Sequence, residues 1–571
     1  MKPDNRFLGD LTPTSNEVEP AEVIADPDKA AWDEECDVLV VGVGLAGVCA
    51  ALRASEDSSL KVIAIDRGEG GGASKLSGGV IYMGGGTKAQ REAGVEDDPE
   101  NMAKYLEFET GNIVSSETVR RFANASSRFQ DWLETYGARF GGPVTDEKTS
   151  YPNQHSLYYS GNELTVPGRE LATPAPRGHR AKPEGGGEPT KLSGQYLLPP
   201  LIRSMEAKPN VRFFRQTRAT MLIADEAGGV VGIEVRRIPP GIAAWKHKKA
   251  WGLAANIVAG IMGLTEKLYS TITSVEKEKA KTVRIRVRKG VVLSAGGFTY
   301  NRTMMAKTAP AYLTSHPLGT IADDGSGIKL GMSVGGATGS LDTVSAWKFL
   351  YQPESWVKSC TVGPDGKRLV GEEYYGARTG EAVFETGGGK GWMIMDEPLH
   401  QMVVSEIASM NKMLFQKIQF RAIEKDYTVS APTLEGLAAK IGIPAQEMQA
   451  TIDAYNQRIA KGEPDPLGKS EKYRRTIDKG PFHATDIGSS LKLSPIPALT
   501  MGGLLVDEET GQVRSNEGGL VAGLYAAGRT AVGVCSHYYV SGLSLGDCVF
   551  SGLRAAEALR GNGGSAALIA E

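Results

Sequence analysis

Two groups of residues in this chain have the types and spacing that chemistry asks for. The first is Gly42-Val43-Gly44-Leu45-Ala46-Gly47, with Asp66 about twenty positions after the last glycine. Gly42 and Gly44 allow a tight turn and close approach of backbone to a pyrophosphate, and a carboxylate at that separation suits the ribose hydroxyls of a dinucleotide. The second is Tyr539-Val540-Ser541-Gly542. On an extended segment Tyr539 and Ser541 project to the same side, so two hydroxyls could face one ligand atom by atom. A serine hydroxyl is a feeble base alone and needs an acceptor beyond it. Tyr538 competes with Tyr539 for the same place. A helical pattern follows Gly542, so the amides near Leu543, Ser544 and Leu545 would point outward as unpaired donors towards developing negative charge. The bland alternative makes Ser541 an ordinary helix N-cap.

The elements that must position these residues can be read locally. Cys36 to Val41 is a β-branched run, the glycine turn follows, and a helical pattern starts near Val48. Lys61 to Ile65 reads as a second strand, closed by Asp66. Beyond it lie Arg67, Ser74, Ser77-Gly78-Gly79 and Gly84-Gly85-Gly86-Thr87, glycine-dense and without the next helix of a plain nicotinamide-binding domain. Strands recur at Val211 to Arg215 and Val230 to Arg236. Lys289 to Phe298 ends in a small-residue turn at Ala295-Gly296, and Gly523 to Arg529 repeats the strand-into-glycine form at Gly528. An N-terminal and a C-terminal piece thus close around one site, with a middle domain inserted. The segment 431–456 reads as two short helices of that domain.

Composition narrows the function. The 571 residues carry 64 Lys+Arg against 67 Asp+Glu, a net charge of -3 that excludes a protein gripping nucleic acid through phosphate contacts. Five cysteines without CxxC spacing offer neither a disulfide framework nor a zinc site, which points to a reducing cytoplasm. The acidic, proline-interrupted start, residues 1–31, lacks the pattern of a secretory signal and reads as a flexible arm.

These residues resemble the flavoprotein family of fumarate reductases and 3-ketosteroid dehydrogenases, within it most closely the 3-ketosteroid Δ4-(5α)-dehydrogenases. The resemblance runs from about Trp32 to Leu559. It rests on Gly78 to Thr87, Ala175-Pro-Arg-Gly-His179, Ala295-Gly-Gly-Phe298, Gly528-Arg529 and Tyr539 to Asp547. It implies an α/β fold: a Rossmann-like FAD-binding domain of glutathione-reductase type, residues 32–305 and 486–571, with an inserted α+β catalytic domain, 306–485. FAD would be held by Gly42, Gly44, Leu45, Ala46, Gly47, Asp66, Arg67 and Ser74. Ser77, Gly78, Gly79, Ala219, Ala295, Gly296, Gly528, Arg529, Ser544 and Leu545 would complete its site. By the same resemblance the substrate is a 3-keto-5α-steroid. Tyr539 donates to the C3 oxygen, Ser541 takes the C4 proton, Tyr375 relays it outward, and hydride passes from C5 to FAD. Gly542 and Tyr538 would also touch substrate, and Tyr374 is the adjacent competitor of Tyr375. Electrons then pass to an acceptor that the sequence does not identify.

Three alternatives stand beside this reading. Fumarate-type chemistry would use cations such as His316, Arg368 and Arg378. Δ1 chemistry would use Tyr538 with Gly542. A third reading is an electron-transfer subunit without a substrate pocket. One insertion, 239–281, departs from the family: Trp245-Lys-His-Lys-Lys249 precedes the mostly apolar run Ala250 to Leu264 and a polar helical tail. That run is too short for a membrane span. It suits either a segment lying in the bilayer interface, through residues 243–275, or a helical hairpin packed on protein.

Overall fold

The computed structural model describes residues 17–148, 156–187, 190–256, 262–351, 353–409, 414–491, 494–561 and 568–569. Its centre is a parallel sheet. β1 (Glu34–Val41) ends in four buried residues, as a strand covered on both faces requires. The glycine turn leads into α1 (Leu45–Ser55), which is buried along its whole length. β2 (Val62–Ile65) pairs in parallel with β1, Val38 opposite Val62, and β3 (Val211–Phe214) pairs in parallel with β2. β4 (Thr217–Asp225) and β5 (Val230–Arg237) form an antiparallel ribbon. Two helices follow, α2 (Ile242–Asn256) and α3 (Met262–Lys279), and then β6 (Lys281–Leu293). The first half of β6 joins the ribbon and its second half joins the parallel sheet beside β1. β7 (Leu520–Ala526) completes the sheet from the far end of the chain by pairing with β6. α4 (Leu543–Arg560) packs against α1.

The arm expected over 1–31 is corrected in part. Glu22–Ile24 is an edge strand, parallel to Ile223–Asp225 of β4, and Glu22 pairs with Arg284 at 2.9 Å. The ribbon edge presents unpaired backbone groups, and these β-branched residues cover them. Residues 1–16 lie outside the described residues.

The inserted domain holds a four-stranded antiparallel sheet in the order Cys360–Val362, Trp392–Asp396, Phe482–Asp486, Thr428–Ala431. Helices Leu434–Ile441 and Ala445–Ala460 match the pair expected over 431–456. The returning chain, at Pro497–Thr500, pairs with Val344–Ala346 of the middle segment. In the insertion, His247, Ala250 and Ile272 are buried, so the two helices pack on the protein. The central stretch of the expected apolar run, 257–261, lies outside the described residues. No helix among the described residues is long and apolar enough to cross a membrane.

Candidate active site

The dinucleotide cradle is built where β1, β6 and β7 end side by side. Gly42 has φ 93, and a Cβ there would lie 2.7 Å from the Ser294 carbonyl oxygen and 2.8 Å from Ala295 Cα. Gly47 passes so close to the Gly42 carbonyl that a Cβ would sit 1.9 Å from it. Gly528, from the C-terminal piece, packs on Ala46 of the N-terminal piece. Gly44 caps α1 without a side-chain bond, and the Leu45 amide instead donates to Ser74 Oγ at 3.2 Å. Ser77 Oγ donates to the Ser74 carbonyl at 2.7 Å and accepts the Gly79 amide at 3.1 Å, while Gly78 is exposed beside it. Arg529 pairs with Asp323 next to Gly296, and its Nη1 is buried without a hydrogen-bond partner among the described residues. Ala219 lies on β4 opposite Val235, two residues past Thr217, whose amide donates to the Asp66 carbonyl at 2.8 Å.

Two of the residues expected at the cofactor are also engaged within the protein. The Asp66 carboxylate accepts the amides of Val43 at 2.9 Å, Gly68 at 2.7 Å and Gly70 at 3.2 Å, so it folds the glycine turn against the following loop. Arg67 directs its donors into a buried ion cluster, with Nε and Nη2 each 2.9 Å from Glu276 and Nη1 2.8 Å from Asp324. His247 of α2 reaches the same Glu276 at 3.1 Å, and Trp251 covers Gly68 so closely that no Cβ fits there. Burial opposes ionisation of Glu276, yet Arg67 and His247 outweigh it and hold the carboxyl down at about 2. The helical insertion is therefore clasped to the residue that follows Asp66. Removing one partner of such a buried pair costs roughly 3–5 kcal/mol. Glu276→Gln is expected to lower the melting temperature and to weaken FAD retention roughly tenfold, about 1.4 kcal/mol. Flavin fluorescence released on dialysis measures this, and unchanged FAD affinity refutes the clasp's role.

The hydroxyl-bearing segments meet on the other side. The backbone around Ser541 is stitched to the strand Leu157–Tyr159 and its successor: the Ser541 amide donates to the Ser160 carbonyl at 3.1 Å, and Ser160 Oγ donates to the Ser541 carbonyl at 2.9 Å. This brings Tyr158 Oη to 3.3 Å from Ser541 Oγ. Tyr158 is fully buried, and burial pushes its phenol up to about 12 against the pull of Ser541 and Arg180. Tyr539 and Tyr375 belong to a closed ring of four aromatics. Centroid separations are 5.2 Å for Trp347–Tyr539, 6.2 Å for Tyr539–Tyr375, 5.4 Å for Tyr375–Phe349 and 6.4 Å for Phe349–Trp347. Asn162 holds Tyr375 in place, its Oδ1 accepting the Tyr375 amide at 2.6 Å and its Nδ2 donating to Glu109 Oε1 at 2.8 Å. Tyr538 has the Arg378 guanidinium over its ring and His537 against it. Tyr374 is only half-buried, with the Arg378 guanidinium 6.0 Å from its ring centroid.

The helix end expected beside this cluster is present, with one correction. The cap of α4 is Gly542 at φ 90, not Ser541, and no side chain bonds to it. A Cβ there would lie 2.8 Å from the Tyr82 amide nitrogen, whose N–H donates to the Gly542 carbonyl at 3.0 Å. The Leu543 amide is taken by the Val540 carbonyl at 3.1 Å, which leaves those of Ser544 and Leu545 without intrahelical partners. Tyr158, Ser160, Asn162, Glu109, Trp347 and Phe349 escaped the sequence reading, because no local spacing ties them to Ser541 or Tyr375. Arg368, one of the cations a dicarboxylate would need, is committed to Glu372 at 2.8 Å and Asp465 at 2.9 Å.

The residues present fit FAD: a buried arginine nitrogen without a partner, two helix N-termini capped by glycine alone, and glycines too close to neighbouring backbone for any side chain. Comparison with known proteins agrees. An FAD binding domain family model matches residues 37–545. A 3-oxo-5-alpha-steroid 4-dehydrogenase from Comamonas testosteroni is 34% identical over 518 residues, covering 88% of this chain and 94% of that one. A 3-oxosteroid 1-dehydrogenase from Mycolicibacterium smegmatis is 25% identical, covering 89% and 94%. The crystal structure of the 3-ketosteroid-Δ4-(5α)-dehydrogenase from Rhodococcus jostii RHA1 in complex with 4-androstene-3,17-dione superposes with a TM-score of 0.77 at 28% identity, covering 95% of this chain and all of that one. The chain belongs to the FAD-binding oxidoreductase family that includes the 3-oxo-5-alpha-steroid 4-dehydrogenases, and FAD is its cofactor.

Proposed function

We propose that this dehydrogenase introduces the C4–C5 double bond into 3-keto-5α-steroids. The observation that carries the reading is the Ser541–Tyr158 hydroxyl pair beside the aromatic ring of Tyr539, Tyr375, Trp347 and Phe349. Flat aromatic faces suit a fused-ring ketone, and the names of the relatives support that substrate class. Gly44, Leu45 and Ser74 would hold the pyrophosphate at the N-terminus of α1, and the open amides of Ser544 and Leu545 would face the flavin end, with Arg529 between. When bound, FAD supplies the acceptor for the hydride leaving C5. Burial raises the Tyr539 phenol, so it keeps its proton and donates to the C3 oxygen. Ser541 Oγ removes the C4 proton as its own proton moves to the Tyr158 phenolate.

That phenolate is scarce near neutrality, since burial pushes the Tyr158 phenol up to about 12. The expected kcat therefore rises with pH from 7 to 10, by about tenfold per unit. Tyr158→Phe flattens the rise, whereas Tyr375→Phe leaves it. A wild-type profile in Tyr158→Phe would return the relay to Tyr375. Mixing the FAD-loaded enzyme with 5α-androstanedione should bleach the flavin, and with an artificial acceptor should yield the 4-en-3-one. A flavin that stays oxidised would sink the dehydrogenase reading. A 1-ene product would instead favour Tyr538 chemistry, against which Arg378 already occupies the Tyr538 ring face.

The outward face of α2 supports a membrane-surface contact. Ile242, Trp245 and Leu253 are 76%, 59% and 56% exposed, with Lys246 and Lys249 beside them, an indole-and-cation pattern suited to headgroups. Flotation with anionic liposomes should carry the full chain but leave a Trp245→Ser/Leu253→Ser variant behind. Equal flotation ends the idea.

A further inference from the structure

A cluster of imidazoles and carboxylates lies in the inserted domain and takes no part in the chemistry above. The strand Trp392–Asp396 runs directly into the helix Glu397–Ser409, whose first turn is held by Asp396 accepting the Leu399 amide at 3.0 Å. Glu397 and His400 are three residues apart on that helix, so they share a face. The sheet register places His483 opposite Met395, at the mouth of the same turn. Glu424 arrives from the helix Leu414–Asp426. One ligand atom from each of Glu397, His400 and His483 lies within 4.8 Å of the others.

We propose that Glu397, His400 and His483 bind a divalent transition cation of the zinc class, with Glu424 as the outer carboxylate that orients His400. His400 Nε2 is 2.8 Å from Glu424 Oε2, and His400 Nδ1 is buried with no partner among the described residues. A neutral ring donating from Nε2 leaves a lone pair on Nδ1, the carboxylate–histidine–metal arrangement. His483 Nε2 lies 2.7 Å from Glu397 Oε2, and Glu397 Oε1 accepts from Gln401 at 2.6 Å. The two imidazoles stack face to face, with centroids 3.8 Å apart and planes 9° from parallel. Two imidazole nitrogens and a carboxylate oxygen favour zinc, cobalt or nickel over calcium or magnesium. The three donor atoms lie within 4.8 Å of one another, and side-chain rotation would draw them in to a coordination sphere. The cation would tie the helix Glu397–Ser409 to the strand Phe482–Asp486, with Glu424 bringing in the third element.

The test uses untagged, FAD-loaded full-length protein, treated with EDTA and titrated with zinc chloride in a calorimeter. One zinc per chain at micromolar Kd or tighter is expected, with a rise in melting temperature and a cobalt adduct absorbing in the visible. His400→Gln and His483→Gln should each weaken zinc binding at least a hundredfold. Circular dichroism and flavin content show whether these variants fold, and where they do not, the cobalt spectrum of the unaltered chain still decides. Absence of zinc binding, a cobalt spectrum of six-coordinate aquo type, or variants that bind zinc like the parent would each overturn the proposal.

Discussion

Ser541→Ala is expected to lower kcat with a 3-keto-5α-steroid by about 10³-fold while FAD stays bound, because a positioned proton-transfer group contributes typically 10²–10⁴-fold. The hydroxyl is what the substitution removes. The backbone of residue 541 keeps its bonds to Ser160 at 3.1 and 2.9 Å, and Gly542 still closes on Tyr82, so the segment holds its course. Tyr539 remains in its stack with Trp347, so the steroid should bind with little change in KM. Rapid mixing of the variant with substrate under nitrogen reads the step directly as slowed flavin bleaching. Loss of the yellow colour on purification would make Ser541 structural, and more than a tenth of parental turnover would remove it from the proton path. Pairing the substitution with Tyr158→Phe tests the coupling: residues acting as one relay give a double variant hardly slower than either single one.

Gly42→Ala is expected to yield colourless protein. The added Cβ meets two obstacles at once: a backbone at φ 93, which costs an L-residue roughly 1–2 kcal/mol, and atoms of Ser294 and Ala295 under 3 Å away. Those neighbours are main chain of the β6 turn, pinned by the Ser294 amide donating to the Val41 carbonyl at 2.8 Å, so they cannot swing aside. Overpacking of this kind adds roughly 1–3 kcal/mol, and the combined distortion falls where β1 meets the N-terminus of α1. FAD content per chain and the melting temperature should both fall. Gly252→Ala is the matched control, a helical glycine with open space around it, where alanine should stabilise slightly. A Gly42→Ala protein with full flavin content would show that the turn does not carry the cofactor.

Features set by neighbours in sequence could be read from sequence. A β-branched run, a glycine turn, an apolar helix and a second strand follow from φ/ψ preference and period, and β1, α1 and β2 form as those rules require. The order Tyr539-Val540-Ser541 could be read locally as two hydroxyls on an extended segment, whereas the chain turns there, with the Leu543 amide donating to the Val540 carbonyl. What could not be read depends on partners hundreds of residues away. Arg67 looks like a cofactor ligand in its own loop, and the fold pairs it with Glu276 from the insertion and with Asp324 from further along the chain. Ser541 calls for an acceptor, and the hydroxyl found beside it is that of Tyr158, brought there by the Ser541–Ser160 hydrogen bonds, which no spacing announces. The edge strand Glu22–Ile24 likewise exists because β4 leaves an open ladder beside it. Local residue order therefore determined the glycine cradle, while burial decided which charges pair and which hydroxyl lies beside Ser541, since a desolvated group takes whatever partner the packing delivers.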